Sequence, residues 1–218
     1  MSGAGPVALG ETPKPRARPV WALVPAKSFA RAKSRLAGIL GAAERAELAR
    51  SMLEHVLSML AACAEIDGIL VVTDGDDVAD LARARGAVAV RDAASPPLGA
   101  IVDAALAELH ARGAGTALVL MSDLPRLAAA DVRDLIAGMS ELDVLAAPDL
   151  RGEGTNALVL APPDRLLTSF GVRDSFARHL QRAQAAGLRV GVHRSEGLAF
   201  DVDEPADLES LASSRRAT

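Results

Sequence analysis

The chain has 218 residues, half of them apolar and about a quarter charged, which suits one α/β domain with a sizeable core and is short for two. A net charge of −4 argues against a nucleic acid or an anionic membrane as partner, since each calls for a basic face. No apolar run reaches the length of a membrane span, no charged-then-apolar leader opens the chain, and a single cysteine, Cys63, leaves neither an internal disulfide nor a thiolate zinc cluster, so the chain reads as cytoplasmic.

Residues 1–18, rich in Gly, Pro, Thr and Arg without apolar periodicity, read as a disordered arm ahead of a domain over 19–213. PVWALVPA (19–26) predicts a buried first strand, followed by the basic loop KSFARAKSRL. Leu48, Met52, Val56 and Leu60 recur at helical spacing and predict an amphipathic helix over 43–64, in which Cys63 reads as a buried small hydrophobe. Strands are expected at 68–73, 87–91, 116–121, 142–147, 155–161 and 188–193, and helices at 76–85, 98–112, 128–139 and 173–187, the last closing on Gly187. A hairpin-like return through 197–202 and a short helix from 205 finish the chain. Strands alternating with helices imply a mostly parallel sheet covered on both faces. The segments 142–147 and 155–161 are too close for a helical crossover, so the pattern turns antiparallel near residue 150.

Residue usage points to chemistry. Lysine is scarce, and two of the three lysines, Lys27 and Lys33, fall with Arg35 in the loop after the first strand, where a triphosphate could be held. No P-loop pattern occurs. Asp123 follows a buried apolar strand and precedes Leu124-Pro125, at the end of the sheet where ligands enter. Asp201 and Asp203, two apart in an extended segment, face one side; like charges so close need a cation between them, and hard oxygen ligands suit Mg²⁺. Asp203 also reads as a helix N-cap. Gly152-Glu153-Gly154-Thr155-Asn156-Ala157 matches a dinucleotide fingerprint by letter but opens a strand, which excludes that reading. It reads instead as a glycine turn whose N–H groups, with the Thr155 hydroxyl, bind phosphate or carboxylate, or as a plain tight hairpin. Phe170-Gly171 leads into a helix with Ser175 near its start, which makes either an anion site or a simple cap. His55, His110, His179 and His193 show no metal-ligand spacing and read as surface or core residues.

In order along the chain stand V-P-A-K-x-x-x-x-A-K-S-R-L, S-D-L-P, G-T-N-A-L, F-G-…-S-F-A-R-H and D-V-D-x-P-A-D-L. Together they resemble the 2-phospho-L-lactate / phosphoenolpyruvate guanylyltransferases of deazaflavin coenzyme F-420 biosynthesis, over roughly residues 20–211. The resemblance implies a single-domain, Rossmann-like (GT-A-like) nucleotidyltransferase fold, three layers α/β/α with a mixed, mostly parallel sheet. It implies GTP as cosubstrate, Mg²⁺ as cofactor, a phosphorylated small acid as acceptor and pyrophosphate as by-product. Carried over by motif, Lys27 and Asp123 are catalytic. Pro25, Lys27, Lys33, Arg35, Leu98, Gly99 and Asp123 face the nucleotide. Asp123, Asp201 and Asp203 bind metal, and Thr155, Asn156, Gly171 and Ser175 hold the acceptor. Two departures stand out. Three residues separate Gly171 from Ser175 where the family usually has two, and Leu98-Gly99 stands where the family tends to have Leu-Asn. A pterin-cofactor or sugar-phosphate nucleotidyltransferase keeps the fold and changes the acceptor, but the pterin-cofactor relatives open with a glycine-rich loop and this loop has no glycine. A non-enzymatic nucleotide-binding module leaves the three aspartates without a task. The apolar helix surfaces allow a homodimer, and the resemblance implies handover of a labile product to the next transferase.

Overall fold

The computed structural model describes residues 19–91 and 96–216; the expected arm at 1–18 lies outside them. The continuous apolar runs arise because both faces of the sheet are covered. Successive residues of the central strands enter opposite cores: Ala22, Val24, Leu118 and Leu120 on one side, Leu23, Ala117 and Val119 on the other. The strands are β1 (Val20–Ala26), β2 (Gly68–Thr73), β3 (Val88–Arg91), β4 (Thr116–Leu120), β5 (Val144–Pro148), β6 (Thr155–Leu160) and β7 (Val190–Val192). Helices α1 (Ala42–Ala61), α2 (Asp76–Ala84) and α4 (Ala129–Ala137) bury Leu53, Leu57, Leu60, Val78 and Leu135 against the first face. On the second face, α3 (Leu98–Ala111) and α5 (Ser175–Ala185) bury Val102, Leu106, Leu109 and Phe176. Each fully buried leucine of these interfaces contributes about 2 kcal/mol relative to exposure, which makes the two cores the main stabilising term. The result is a three-layer α/β/α sandwich.

The sheet order is β3-β2-β1-β4-β6-β5-β7. β1 pairs in parallel with both β2 and β4, and β5 pairs in parallel with β7. β6 runs antiparallel to β5, as the short connection between these two requires, and antiparallel to β4 on its other side. The chain leaves β1 toward β2 and later returns to β1's other side as β4, so the order switches there and a crevice opens beyond the carboxyl ends of β1 and β4. Because β6 is reversed, its first residues, Thr155 and Asn156, arrive at this same end.

Most elements begin and end within two residues of the sequence expectation. Gly187, at φ 67, closes α5, with Leu188 N–H donating to Ala183 O and Gly187 N–H to Gln184 O, a Schellman pattern. α1 stops at Ala61, so Cys63 lies in the following turn, buried, with its thiol on Met59 O. The expected hairpin-like return at 197–202 is corrected: four residues form α6 (Glu196–Ala199), capped by Ser195 Oγ accepting Leu198 N–H, and an extended unpaired segment follows. Leu198, Phe200 and Val202 are buried alternately, which imitates a strand, but their backbone joins no ladder. The final helix, α7, spans Pro205–Arg216. A third cluster, Leu36, Met52, Phe200, Val202 and Leu211, ties the basic loop, α1, this segment and α7 together. No described helix is long and apolar enough to cross a membrane.

Candidate active site

The basic loop is pinned rather than free. Ser28 N–H donates to Asp74 Oδ1 at 2.7 Å and Phe29 N–H to Asp77 Oδ2 at 3.0 Å, so the turn after β2 holds the turn after β1. The two backbones approach closely at Gly75, where a Cβ would lie 2.5 Å from Ser28 Cβ. Phe29 is buried and anchors a short 3-10 turn, with Arg50 stacked over its ring. Arg31 pairs with Asp74, Lys27 is exposed to solvent, and Pro25 is buried at the strand end. Lys33 opens a second 3-10 turn in the left-handed region, φ 53, an uncommon conformation for a residue with a Cβ.

That conformation delivers Lys33 Nζ to Asp123 Oδ2 at 2.6 Å and Asp203 Oδ1 at 3.1 Å, while Arg35 reaches Asp203 Oδ2 at 3.2 Å. Burial pushes the Lys33 ammonium down, but Asp123 and Asp203 outweigh it and hold its pKa above the ordinary lysine value. Asp123, Asp201 and Asp203 each place a carboxylate oxygen within 4.8 Å of the others. Burial, then the charges of Asp123 and Asp203, push Asp201 up to about 6. Three hard oxygen donors within 4.8 Å of one another, with one of them reluctant to ionise unaided, fit a divalent metal ion. Asp203 is not the cap of α7: Asp207 Oδ2 accepts the backbone N–H groups of both Asp203 and Glu204, which leaves the Asp203 carboxylate to the site.

β6 supplies the other side. Asn156 Nδ2 donates to Leu198 O and Ala199 O, so the sole asparagine fixes the backbone that leads into the Asp pair. Thr155 Oγ1 lies 3.0 Å from His179 Nδ1 and 3.2 Å from Ser175 Oγ. The glycine turn's N–H groups at Glu153 and Gly154 donate to the Asp149 carboxylate at 2.9 Å each. The expectation that they would bind a ligand anion is corrected, since the chain's own carboxylate fills that place. Gly171, at φ 82, brings the loop onto α3, where a Cβ would lie 3.0 Å from Leu98 Cβ; a Cβ on Gly99 would lie 3.2 Å from Phe170 O. The two departures from the family pattern are therefore neighbours in space.

Two clefts open from this end of the sheet, of about 810 Å³ and 570 Å³. The larger is lined by Pro25, Lys27, Arg31, Lys33, Thr73 and Asp74, and the smaller by Asp149, Arg151, Thr155, Asn156, Ser175 and Asp201. Arg35, Leu98, Asp123, Gly171 and Asp203 border both, so the clefts meet at the carboxylates. Every sequence-predicted site residue except Gly99 lines one or both, and Gly99 lies directly beneath Phe170. Arg31, Asp74, Asp149 and Glu204 line the clefts without having been singled out from the sequence; Arg31 stands inside the predicted basic loop and Asp74 directly after the predicted strand 68–73, at the end of a parallel sheet where ligands enter, which is the signal that could have found them.

The same fold occurs in CMP:2-keto-3-deoxy-manno-octonic acid synthetase complexed with CTP (TM-score 0.62, 18% identity, covering 91% of this chain and 99% of that one). At that identity the likeness is one of fold, and the nucleotidyltransferase class follows from the relatives named next. Residues 20–213 match the family described as guanylyl transferase CofC like. The phosphoenolpyruvate guanylyltransferase of Sphaerobacter thermophilus is 41% identical over 193 residues, 88% of this chain and 91% of that protein. The 2-phospho-L-lactate guanylyltransferase of Methanothermobacter thermautotrophicus is 33% identical over 190 residues, 87% of this chain and 82% of that protein. The chain belongs to the CofC-like guanylyltransferase family.

Proposed function

We propose that the protein transfers GMP from GTP to a phosphorylated small carboxylic acid, phosphoenolpyruvate or 2-phospho-L-lactate as in its named relatives or 3-phosphoglycerate, and releases pyrophosphate, within coenzyme F-420 biosynthesis. The observation that carries this reading is the meeting of a lysine- and arginine-lined cleft with a second cleft at one carboxylate cluster. Two anionic substrates placed in the two clefts would have their reacting ends together at Asp123 and Asp203.

A phosphate oxygen of the acceptor attacks the α-phosphorus of GTP. The new P–O bond forms as the bond to the bridging oxygen breaks, and pyrophosphate leaves with that electron pair. The attacking phosphate is already an anion at neutral pH, so no general base has to remove a proton. Holding the partners in line is the larger part of the work. Pro25, Lys27, Lys33, Arg35, Leu98 and Gly99 form the nucleotide side, with Lys27 and Lys33 supplying positive charge where pyrophosphate departs. Thr155, Asn156, Gly171 and Ser175 form the acceptor side. Asp123, Asp201 and Asp203 would hold Mg²⁺, which neutralises phosphate charge when bound. Homodimer formation and handover of the product to the next transferase belong to the same proposal.

The test is pyrophosphate release with Mg²⁺ and GTP, ATP or CTP against phosphoenolpyruvate, 2-phospho-L-lactate and 3-phosphoglycerate. Release with GTP and one acid is expected. Silence across the panel from protein shown to bind nucleotide would overturn the acceptor assignment.

A further inference from the structure

His179 is wholly buried, and its two ring nitrogens are both engaged. Nε2 lies 2.7 Å from the backbone nitrogen of Ser169. A backbone N–H can only donate, so Nε2 is the bare, accepting nitrogen. A neutral imidazole then carries its proton on Nδ1, which donates to Thr155 Oγ1 at 3.0 Å. Burial, and after it the charge of Arg182, holds the His179 pKa down to about 4, which keeps the ring neutral through the physiological range.

The next links follow by counting protons. Thr155 and Ser175 are each about 95% buried, lie 3.2 Å apart and both line the acceptor cleft. Their hydroxyls have two protons between them. One is used in the bond joining them, whichever way it points. With His179 already donating to Thr155, the other proton has no acceptor in the chain Ser169–His179–Thr155–Ser175 and is left for the cleft. The opposite tautomer would reverse this: Thr155 would donate to His179, Ser175 to Thr155, and the pair would offer the cleft only lone pairs. An anion is attracted in the first case and repelled in the second.

We propose that His179 is a positioning residue that sets the polarity of the Thr155–Ser175 hydroxyl pair, so that it presents an O–H donor to the phosphate or carboxylate of the acceptor. The inference rests on the acceptor cleft assigned above. The same helix anchors the segment next to it: Arg182 donates to Leu167 O and Thr168 O, Asp103 of α3 accepts Thr168 N–H, and the Phe170 ring packs 4.9 Å from the imidazole. Ring orientation is thereby fixed from three sides.

Two measurements on the full chain test it. Long-range ¹H–¹⁵N NMR of the His-labelled protein reads the tautomer directly, and an Nδ1–H imidazole is expected from pH 6 to 8. An Nε2–H tautomer overturns the proposal whatever the enzyme turns over. In kinetics, His179→Phe should raise the acceptor KM roughly tenfold, the effect of losing one oriented hydrogen bond, while the GTP KM stays within about twofold. His179→Asn, which keeps an amide donor for Thr155, should restore much of the loss. In a Thr155→Val background His179→Phe should have no further effect on the acceptor KM. Equal rises in both KM values, or full additivity with Thr155→Val, would mark His179 as structural only and overturn the proposal. If His179→Phe does not fold, the tautomer and the Asn variant decide. Absence of transfer by the wild-type protein to any phosphoacid would instead sink the acceptor assignment, with the tautomer still read by NMR.

Discussion

Asp123 is held by Lys33, and after burial its charge is the next cause that pushes Asp201 up to about 6. Asp123→Asn should therefore lower turnover by about a hundredfold or more while the melting temperature moves by only a few degrees, because Lys33 keeps Asp203 as a partner. Near-normal turnover at saturating Mg²⁺ would remove Asp123 from the site. His179 gives a pH prediction of definite sign. Its folded pKa of about 4 lies below the ordinary 6.5, so between those values the unfolded chain binds more protons and stability falls as pH falls. The term is fully favourable above pH 6.5 and has lost about 3 kcal/mol near pH 4. Asp201 works in the other direction: its raised pKa makes the folded state gain stability as pH drops from about 6 toward 3.8. Comparing the melting curves of wild type and His179→Phe isolates the histidine. The wild-type curve should fall more steeply between pH 6.5 and 4.5, and parallel curves would show that His179 is not buried neutral.

At the scale of elements, the Phe170–Ser175 loop and the start of α3 behave as one joint. Gly171 needs both its positive φ and its missing Cβ, since a methyl there would press on Leu98. Gly171→Ala should lower stability by about 1–3 kcal/mol and weaken substrate binding on both sides of the joint, because Leu98 and Gly171 border both clefts. Calorimetric melting together with KM values for both substrates checks this; an unchanged Tm would show that the loop yields freely. The same joint shows where sequence reading reached and where it stopped. Strands such as β2 are legible because two covered faces demand an unbroken apolar run. The Asp201/Asp203 pair is legible because extended backbone puts alternate residues on one side even without a ladder. That very alternation misled at 197–202: burial of Leu198, Phe200 and Val202 follows the same period as a strand, and only backbone pairing distinguishes them. The partners of the glycine turn were hidden for a different reason. Asp149 lies four residues before Glu153 and fills the turn's donors itself, a local contact with no pattern in the residue types. His179 stands four residues after Ser175, one helical turn, so their shared face was available in the sequence; its bond to Thr155, from a different element, was not.

Across the whole molecule, charge is divided unevenly between the two clefts. Around the cleft proposed for the nucleotide Lys27, Arg31, Lys33 and Arg35 face Asp74, Asp123 and Asp203. Around the cleft proposed for the acceptor three arginines face eight carboxylates, and each arginine is already matched: Arg35 with Asp203, Arg151 with Glu204, Arg173 with Glu153. A phosphorylated acid is itself an anion. Two like charges about 4 Å apart repel by about 4 kcal/mol at an effective dielectric of about 20, more than one hydroxyl donor can offset. The acceptor should therefore bind only after positive charge has been added at Asp123, Asp201 and Asp203. By calorimetry, phosphoenolpyruvate should show no binding in EDTA and should bind once Mg²⁺ and a non-hydrolysable GTP analogue are present. The larger cleft carries four cations against three carboxylates, although all but Lys27 are paired with them, so the nucleotide should retain measurable affinity there without the metal. Turnover kinetics should then be ordered, nucleotide first. Phosphoenolpyruvate binding with equal affinity in EDTA would mean that the acidic lining is neutralised by the chain's own arginines, and that the carboxylate cluster serves the nucleotide alone.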